Sequence, residues 1–384
     1  MKITKIETVP IRLPTRRVHQ WASLTTPIGV YVIIKLHTED GLVGLGEAPV
    51  LKDWGGDYGK YFGETPQTTM HIINDIFSPA LKGQDPRRFE QMHVIMDKAV
   101  KGYPYTKAAI DMALYDVAGK AMKVPAYQFL GGCFRDRVGI AHSLGLMEID
   151  KAIEEALQAK SEGVKTIKLK GGVDPKRDVE LVRRMRDALG PETKICVDAN
   201  QGYPTPKVAI QVTKAMAEYD LLYMEQPVEG IDRMAEVAQR VDTPIMADES
   251  AWTAQDVVEI VRKKAADIIS IYTTKPGGIF KAKKVAAVAE AGGLKCNVNG
   301  SVETGVGNAA NIHLAASTAV VTYDCVVPVS TPKGADRQGI AGIYYQDDII
   351  KEAFEFSDGD ILVSSAPGLG IELDEDKLKH YRLD

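Results

Sequence analysis

The chain has 384 residues, 45% hydrophobic and 26% charged, with a formal net charge of −5. This is a globular composition, long enough for one large core and a smaller domain, and it excludes a disordered or fibrous chain. No basic run stands out, so nucleic acid is not expected as a partner, and no apolar stretch approaches the roughly 18 residues of a membrane span.

Residues 1–7 alternate charge with apolar groups and carry no signal-peptide core. Residues 2–13 and 28–37 read as strands, a turn follows at Asp40-Gly41, and 42–47 reads as the returning strand of a hairpin. Apolar spacing predicts helices over 66–80, 86–99 and 104–122, the last stopped by Pro125. After about residue 136, strands and amphipathic helices alternate. The strands end near residues 142, 170, 198, 225, 248, 272, 298 and 326, and the helices cover 150–162, 175–189, 206–218, 231–241, 254–264 and 280–291. Eight such units are what an α/β barrel of the (β/α)8 type requires. An open doubly wound sheet does not usually need eight, and no Gly-x-Gly-x-x-Gly follows a first strand. The tail, strand-like over 354–363 and turn-rich over 367–374, is expected to leave the barrel and rejoin the amino-terminal region. Cys133, Cys196, Cys296 and Cys325 include no Cys-x-x-Cys pair and lack nearby histidines. They read as reduced core or near-core thiols of a cytoplasmic protein, not as a zinc site.

Charges stand where buried-type strands end: Lys170, Asp198, Glu225 and Asp248 each close a short apolar run. Single acids after strands are often helix N-caps. Three at the same position of consecutive strands are better explained by a shared ligand. Converging carboxylates repel, and a divalent cation removes the problem. An all-oxygen set without His or Cys favours Mg²⁺, or Mn²⁺. Asn200 and Glu249, just past two of these acids, read either as support for the ligands or as loop starts. Lys168 and Lys170 share a strand face by period-two geometry. Mutual repulsion, with a cation close by, is expected to lower their pKa and suit one of them to act as a base. A base beside a metal that binds carboxylate oxygens suggests α-proton abstraction, giving an enediolate.

Lys168-x-Lys170, Asp198-Ala-Asn200, Glu225-Gln-Pro227 and Ala247-Asp248-Glu249-Ser250 resemble, in order and spacing, the muconate lactonizing enzyme subgroup of the enolase superfamily. Residues 41–47, Gly277-Gly278, Ser301-Val-Glu303 and 367–371 extend the likeness over nearly the whole chain. The resemblance implies a modified TIM barrel, (β/α)7β, under an α+β capping domain formed by the N-terminal region and the C-terminal tail. It places the cap at 1–125, the barrel at 126–353 and the returning tail at 354–384. It implies Mg²⁺ on Asp198, Glu225 and Asp248, Lys170 as base, Lys168 tuning it, and a homo-oligomer. The strand-seven histidine of the mandelate racemase subgroup is missing from 295–299.

One departure matters. Where the subgroup ends strand six in a second lysine, this chain has Tyr272, and Lys275 lies three residues on, expected at the rim or packed. A phenol with a pKa near 10 is a poor base. A one-base outcome is therefore expected: β-elimination (dehydration) or cycloisomerisation of a small carboxylate, ahead of two-base racemisation or epimerisation of an amino-acid derivative. A non-catalytic barrel that binds a metabolite is the reading from another class. Loops 15–27, with Trp21, and 50–63, with Trp54, Tyr58, Tyr61 and Phe62, are placed over the barrel mouth, the second as a Gly-rich lid. Their aromatic faces and Asp57 suit a cationic or ring-shaped acid such as a hydroxyproline, beside a muconate-like alternative. Glu303 is expected against substrate or a neighbouring lysine.

Overall fold

The computed structural model describes residues 1–22, 24, 27–57, 60–327, 331–335 and 339–383. β1 (Ile3–Arg12), β2 (Val30–Thr38) and β3 (Val43–Pro49) form an antiparallel meander in that order. The expected hairpin closes where Thr38 N donates to Leu42 O at 3.0 Å. The predicted helix over 66–80 is α1 (Pro66–His71), a π-helical stretch (Ile72–Phe77) and α2 (Ser78–Leu81) in continuous succession. α3 (Phe89–Ala99) and α4 (Pro104–Met122) follow. β2 is buried on both faces. Val32, Ile34 and Leu36 pack on the helices, while Tyr31 and Ile33 join an aromatic cluster with Trp21, Trp54, Trp252 and Tyr272. That second cluster joins the cap to the barrel mouth.

A 3₁₀ turn (Ala126–Leu130) and β4 (Arg137–Gly139) lead into the barrel. Its units are β5 (Ala141–Ser143), α5 (Ile149–Ser161), β6 (Thr166–Lys170), α6 (Pro175–Leu189), β7 (Lys194–Asp198) and α7 (Pro206–Ala217). They continue with β8 (Leu221–Glu225), α8 (Ile231–Ala238), β9 (Ile245–Ala247) and α9 (Ala254–Lys263). β10 (Ile268–Ile271), α10 (Ile279–Ala291), β11 (Lys295–Val298) and α11 (Gly305–Ala316) complete the series. The seven strands β5 to β11 are parallel neighbours in chain order. The eighth expected strand is not a full ladder. Single parallel bridges, Ile140 to Cys325 and Asn299 to Val326, tie this segment to both edges of the sheet and close the ring. This is the (β/α)7β barrel, and the main apolar core lies between its strands and helices.

β12 (Phe356–Ser357) pairs with β13 (Asp360–Leu362), which pairs with β4, and α12 (Glu375–His380) follows. Arg382 then bridges to Ile11, and Leu383 N donates to Pro10 O at 2.9 Å, so residues 382–383 run along the edge of the cap sheet. The cysteines are all free; Cys196, Cys296 and Cys325 are buried, but Cys133, expected in or near the core, is exposed in the connection before β4. Among the described residues, no helix is long and apolar enough to cross a membrane.

Candidate active site

Lys170, Asp198 and Glu225 are register partners across β6, β7 and β8, and Asp248 follows β9 directly. The period of two turns all four into the ring, above a layer of Cys196, Tyr223, Met246 and Ile268. A one-residue slip would send them to the helix side. Asp198, Glu225 and Asp248 are buried and each brings a carboxylate oxygen within 4.8 Å of the others. Lysines offset the repulsion. Lys168 Nζ lies 3.0 Å from Asp198 Oδ2 and 2.8 Å from Glu225 Oε1; Lys170 is 2.6 Å from Asp198 Oδ2, and Lys275 is 2.6 Å from Asp248 Oδ1.

Burial would raise the carboxyl of Asp198, but Lys168 and Lys170 outweigh it and hold the group down to about 2. At Glu225, burial and then Asp198 and Asp248 prevail and push the group up to about 8. Glu225 Oε2 is buried with no hydrogen-bond partner. An unpartnered carboxylate oxygen beside two others is a donor set that fits a hard dication such as Mg²⁺. The lowering expected for the lysine pair does not hold at Lys168. Burial does act to lower it, yet Asp198, Glu225 and Asp248 together keep the amine well above its ordinary range.

Asn200 accepts from Lys170 Nζ at 2.8 Å and donates through Nδ2 to Glu249 Oε1 at 2.9 Å, so it orients the amine and ties β7 to β9. Sequence reasoning passed over two further supports. Gln226 Oε1 accepts Asp248 N (2.9 Å) and Ser250 N (3.2 Å), while its Nε2 donates to Val228 O and Ser250 Oγ, both at 2.8 Å. Asn299 Nδ2 donates to Glu225 Oε1 at 3.2 Å and Ser270 Oγ at 2.8 Å. The polar alternation Asn297-Val298-Asn299 in a buried strand was the available signal. Asn200, Gln201 and Gln226 have φ of +43°, +64° and +38°. Such left-handed residues cost on the order of 1–3 kcal/mol each and persist where surroundings fix them.

Tyr272 donates its hydroxyl to Asp248 Oδ2 at 3.0 Å. Burial, then Asp248, Glu225 and Asp198, hold the phenol well above its ordinary range, so it stays a donor. Lys275 is not at the rim. Besides Asp248 Oδ1 it donates to Asp248 O and Ser270 O, each at 2.9 Å, with Nζ 4.2 Å from the Tyr272 ring centre.

A cavity of about 40 Å³ lies over Lys168 and Lys170, walled by Trp21, Trp54, Tyr272, Tyr344, His19 and Ser301. Trp21 and Trp54 thus line the cavity, each with a neighbour already on one ring face. Lys170 Nζ sits 5.4 Å from the Trp21 ring centre, and Trp54 stacks on Tyr272 at 5.6 Å. Asp57 does not line the cavity. It accepts from Ser250 Oγ (2.9 Å), Gly230 N (2.9 Å) and Gln201 Nε2 (3.2 Å), latching its loop to three barrel-rim connections. Tyr61 stacks on Trp252 at 4.6 Å and Phe62 is exposed; Tyr58 lies outside the described residues. Glu303 meets neither cavity nor lysine: it is buried with both oxygens unpartnered, beside Gly307 and Glu47.

Two family profiles match this chain. One is described as the mandelate racemase / muconate lactonizing enzyme N-terminal domain (residues 4–131), the other as an enolase C-terminal domain-like region (151–377). The N-succinyl-L-Arg/Lys racemase of Bacillus cereus is 32% identical over 99% of this chain and 97% of its own, and its solved structure superposes with a TM-score of 0.90. Muconate cycloisomerase 1 of Rhodococcus opacus is 30% identical over 99% of this chain and 98% of its own. A dipeptide epimerase from Enterococcus faecalis, solved with Mg and the dipeptide L-Leu-L-Tyr, is 32% identical, covers 97% of this chain and 100% of its own, and has a TM-score of 0.86.

Proposed function

Because this chain belongs to the mandelate racemase / muconate lactonizing enzyme family of the enolase superfamily, and is an enzyme of isomerase or lyase type, we propose that it removes the α-proton of a small carboxylate with Lys170 as the base. Asp198, Glu225 and Asp248 would hold Mg²⁺ beside that amine. When bound, the ion supplies positive charge to a substrate carboxylate that grows more negative as the proton leaves. Lys170 Nζ is aimed by Asn200 and Asp198, and Lys168 sits between Asp198 and Glu225 to keep their charge balanced. Trp21 and Trp54 exclude water from the amine. A cavity of about 40 Å³ holds only a few waters at ~10–15 Å³ each, so the segments carrying these two residues must part to admit substrate.

The observation that carries the one-base reading is what closes the sixth strand. Tyr272 is a protonated donor to Asp248, and Lys275 has spent all three ammonium hydrogens on protein acceptors. Neither offers a base for the second face of an α-carbon. Lys170 alone then takes the proton, with cycloisomerisation or β-elimination as the result. With Asp57 turned away and Trp21 occupied by Lys170, a muconate-like acid fits better than a cationic hydroxyproline-like one. The second reading, two-base racemisation or epimerisation, is favoured by the names of the Bacillus and Enterococcus relatives.

Proton NMR in D₂O with Mg²⁺ tests the base. The panel is muconolactone, N-succinyl-L-lysine, L-Ala-L-Glu and the hydroxyprolines. One of these exchanges its α-proton, and Lys170→Ala lowers the rate by roughly 10²–10⁴-fold with an unchanged circular dichroism spectrum. Exchange that survives Lys170→Ala removes Lys170 as the base.

A further inference from the structure

Asp57, in the cap segment between β3 and α1, takes no part in the chemistry above. It is buried, and a single oxygen of its carboxylate, Oδ1, accepts from Gln201 Nε2, Gly230 N and Ser250 Oγ. The topology gives these three donors something in common. Gln201 lies in the connection after β7, Gly230 in the connection after β8, and Ser250 in the connection after β9. These are the connections that leave Asp198, Glu225 and Asp248, one for each acid of the trio. One cap oxygen thus gathers the three acid-bearing strand ends.

The same connections are bonded to one another, with buried Gln226 between them. Its Oε1 accepts Asp248 N, its Nε2 donates to Ser250 Oγ, and that hydroxyl donates on to Asp57. Its backbone oxygen accepts Gln201 N at 2.8 Å. Gln201 and Gln226 hold left-handed backbone, φ +64° and +38°, which persists only where neighbours fix it. Other anchors of this cap segment reach less of the rim. Lys60 meets Asp256 at 2.7 Å and Tyr61 stacks on Trp252, both at or just before the start of α9. Trp54, three residues before Asp57, stacks on Tyr272 and walls the cavity. The latch at Asp57 therefore holds the cover of the cavity to the strand ends that carry the acids.

We propose that Asp57 is a positioning residue that links closure of the cap to metal binding, which rests on the reading that Asp198, Glu225 and Asp248 hold Mg²⁺. Three carboxylates that share an ion set the spacing of the ends of β7, β8 and β9. Asp57 Oδ1 needs its three donors, on the connections from those same ends, at one spacing as well. Each condition makes the other easier to meet, so ion and latch stabilise each other. The coupling is reciprocal: the latch tightens the ion by the factor by which the ion tightens the latch, typically about 5- to 150-fold. The cap then covers Lys170 most firmly when the site is loaded, and the unloaded site opens more readily.

The test measures both directions of the coupling on the full chain. Calorimetry gives Mg²⁺ affinity. Trypsin cleavage after Lys52, followed by mass spectrometry, tracks the population of the open segment. Asp57→Ala is expected to weaken Mg²⁺ about tenfold, within the usual range of such couplings. Asp57→Asn removes the charge but keeps an accepting oxygen, and is expected to stay within about threefold of the wild type. Mg²⁺ is expected to slow the cleavage about tenfold in the wild type and in Asp57→Asn, and less than about twofold in Asp57→Ala. A latch that only anchors the loop would open in Asp57→Ala with Mg²⁺ bound as tightly as before, and that result overturns the proposal. Equal weakening in Asp57→Asn and Asp57→Ala also overturns it, because charge alone would then account for the effect. A wild type that binds no Mg²⁺ overturns the metal reading and this proposal with it, whereas either of the other two results overturns the coupling and leaves the metal reading standing.

Discussion

Three ammonium groups reach three carboxylates in this site, and the pairing is uneven. Glu225 keeps one oxygen without a partner while Asp198 has two lysines. Among the proposed metal-holding acids, Glu225 is therefore the one with an oxygen free for an ion. Glu225→Gln is expected to weaken Mg²⁺ by at least about tenfold in calorimetry, since even outer-shell losses cost 10–100-fold; an unchanged affinity would remove it from the metal set. Tyr272 is the second residue where identity decides chemistry. Tyr272→Phe deletes one hydrogen bond to Asp248 and no base, so α-proton exchange should persist within about tenfold. Exchange retained from one enantiomer while racemisation, followed by polarimetry, disappears would give Tyr272 the role of second-face base. The lysine pair illustrates a limit of reading spacing. The two amines share a strand face as expected, but their electrostatic environment is set by acids from other strands, and these dominate at Lys168.

At the scale of elements, the strand ends were legible because burial on both sides of a parallel strand leaves no ordinary place for a terminal charge. Lys168, Lys170, Asp198 and Glu225 follow from period two alone. Asp57, Lys275 and Glu303 do not, because each sits in a connection whose path no period governs. The eighth strand was overread for a related reason: its apolar run is present, but the segment meets the ring only at isolated bridges. The cap offers a direct mechanical test. α4 lies so close on β3 that a Cβ at Gly46 would fall 1.9 Å from Ala109 O, a backbone atom that cannot rotate away. Gly46→Ala should destabilise the fold by roughly 1–3 kcal/mol or more, measured as a lower urea midpoint with little change in slope.

Over the whole molecule, the cap and barrel are joined by buried polar contacts around one wall of the cavity. Glu47 of β3 accepts Thr304 N at 2.9 Å and Gly307 N at 3.0 Å at the start of α11. Tyr31 of β2 donates to Val302 O at 2.6 Å, and Tyr345 donates to the same oxygen. Val302, a β-branched residue at φ +60°, is held in a conformation it would otherwise avoid. Next to it Glu303 is buried without a partner, and burial raises its carboxyl to about 7. A carboxyl raised on folding favours the fold while protonated. Its contribution is complete below about 4.5, the unperturbed value, and is lost as pH rises to about 7. Glu303→Gln is expected to flatten the fall in urea stability between pH 5 and 7.5 relative to the wild type, and an identical slope would mean that the group is not neutral in the fold.

The sequence by itself determined the barrel, the cap hairpin, the acidic trio, the lysine pair and the absent second lysine. All are matters of local period or residue identity, which packing has only to accept. Tertiary structure decided what those charges face: that Trp21 covers Lys170, that Lys275 and Tyr272 both serve Asp248, and that Asp57 latches the lid loop to the rim. These contacts join residues far apart in the chain, between connections whose course depends on the packed whole, and no spacing within one sequence encodes them.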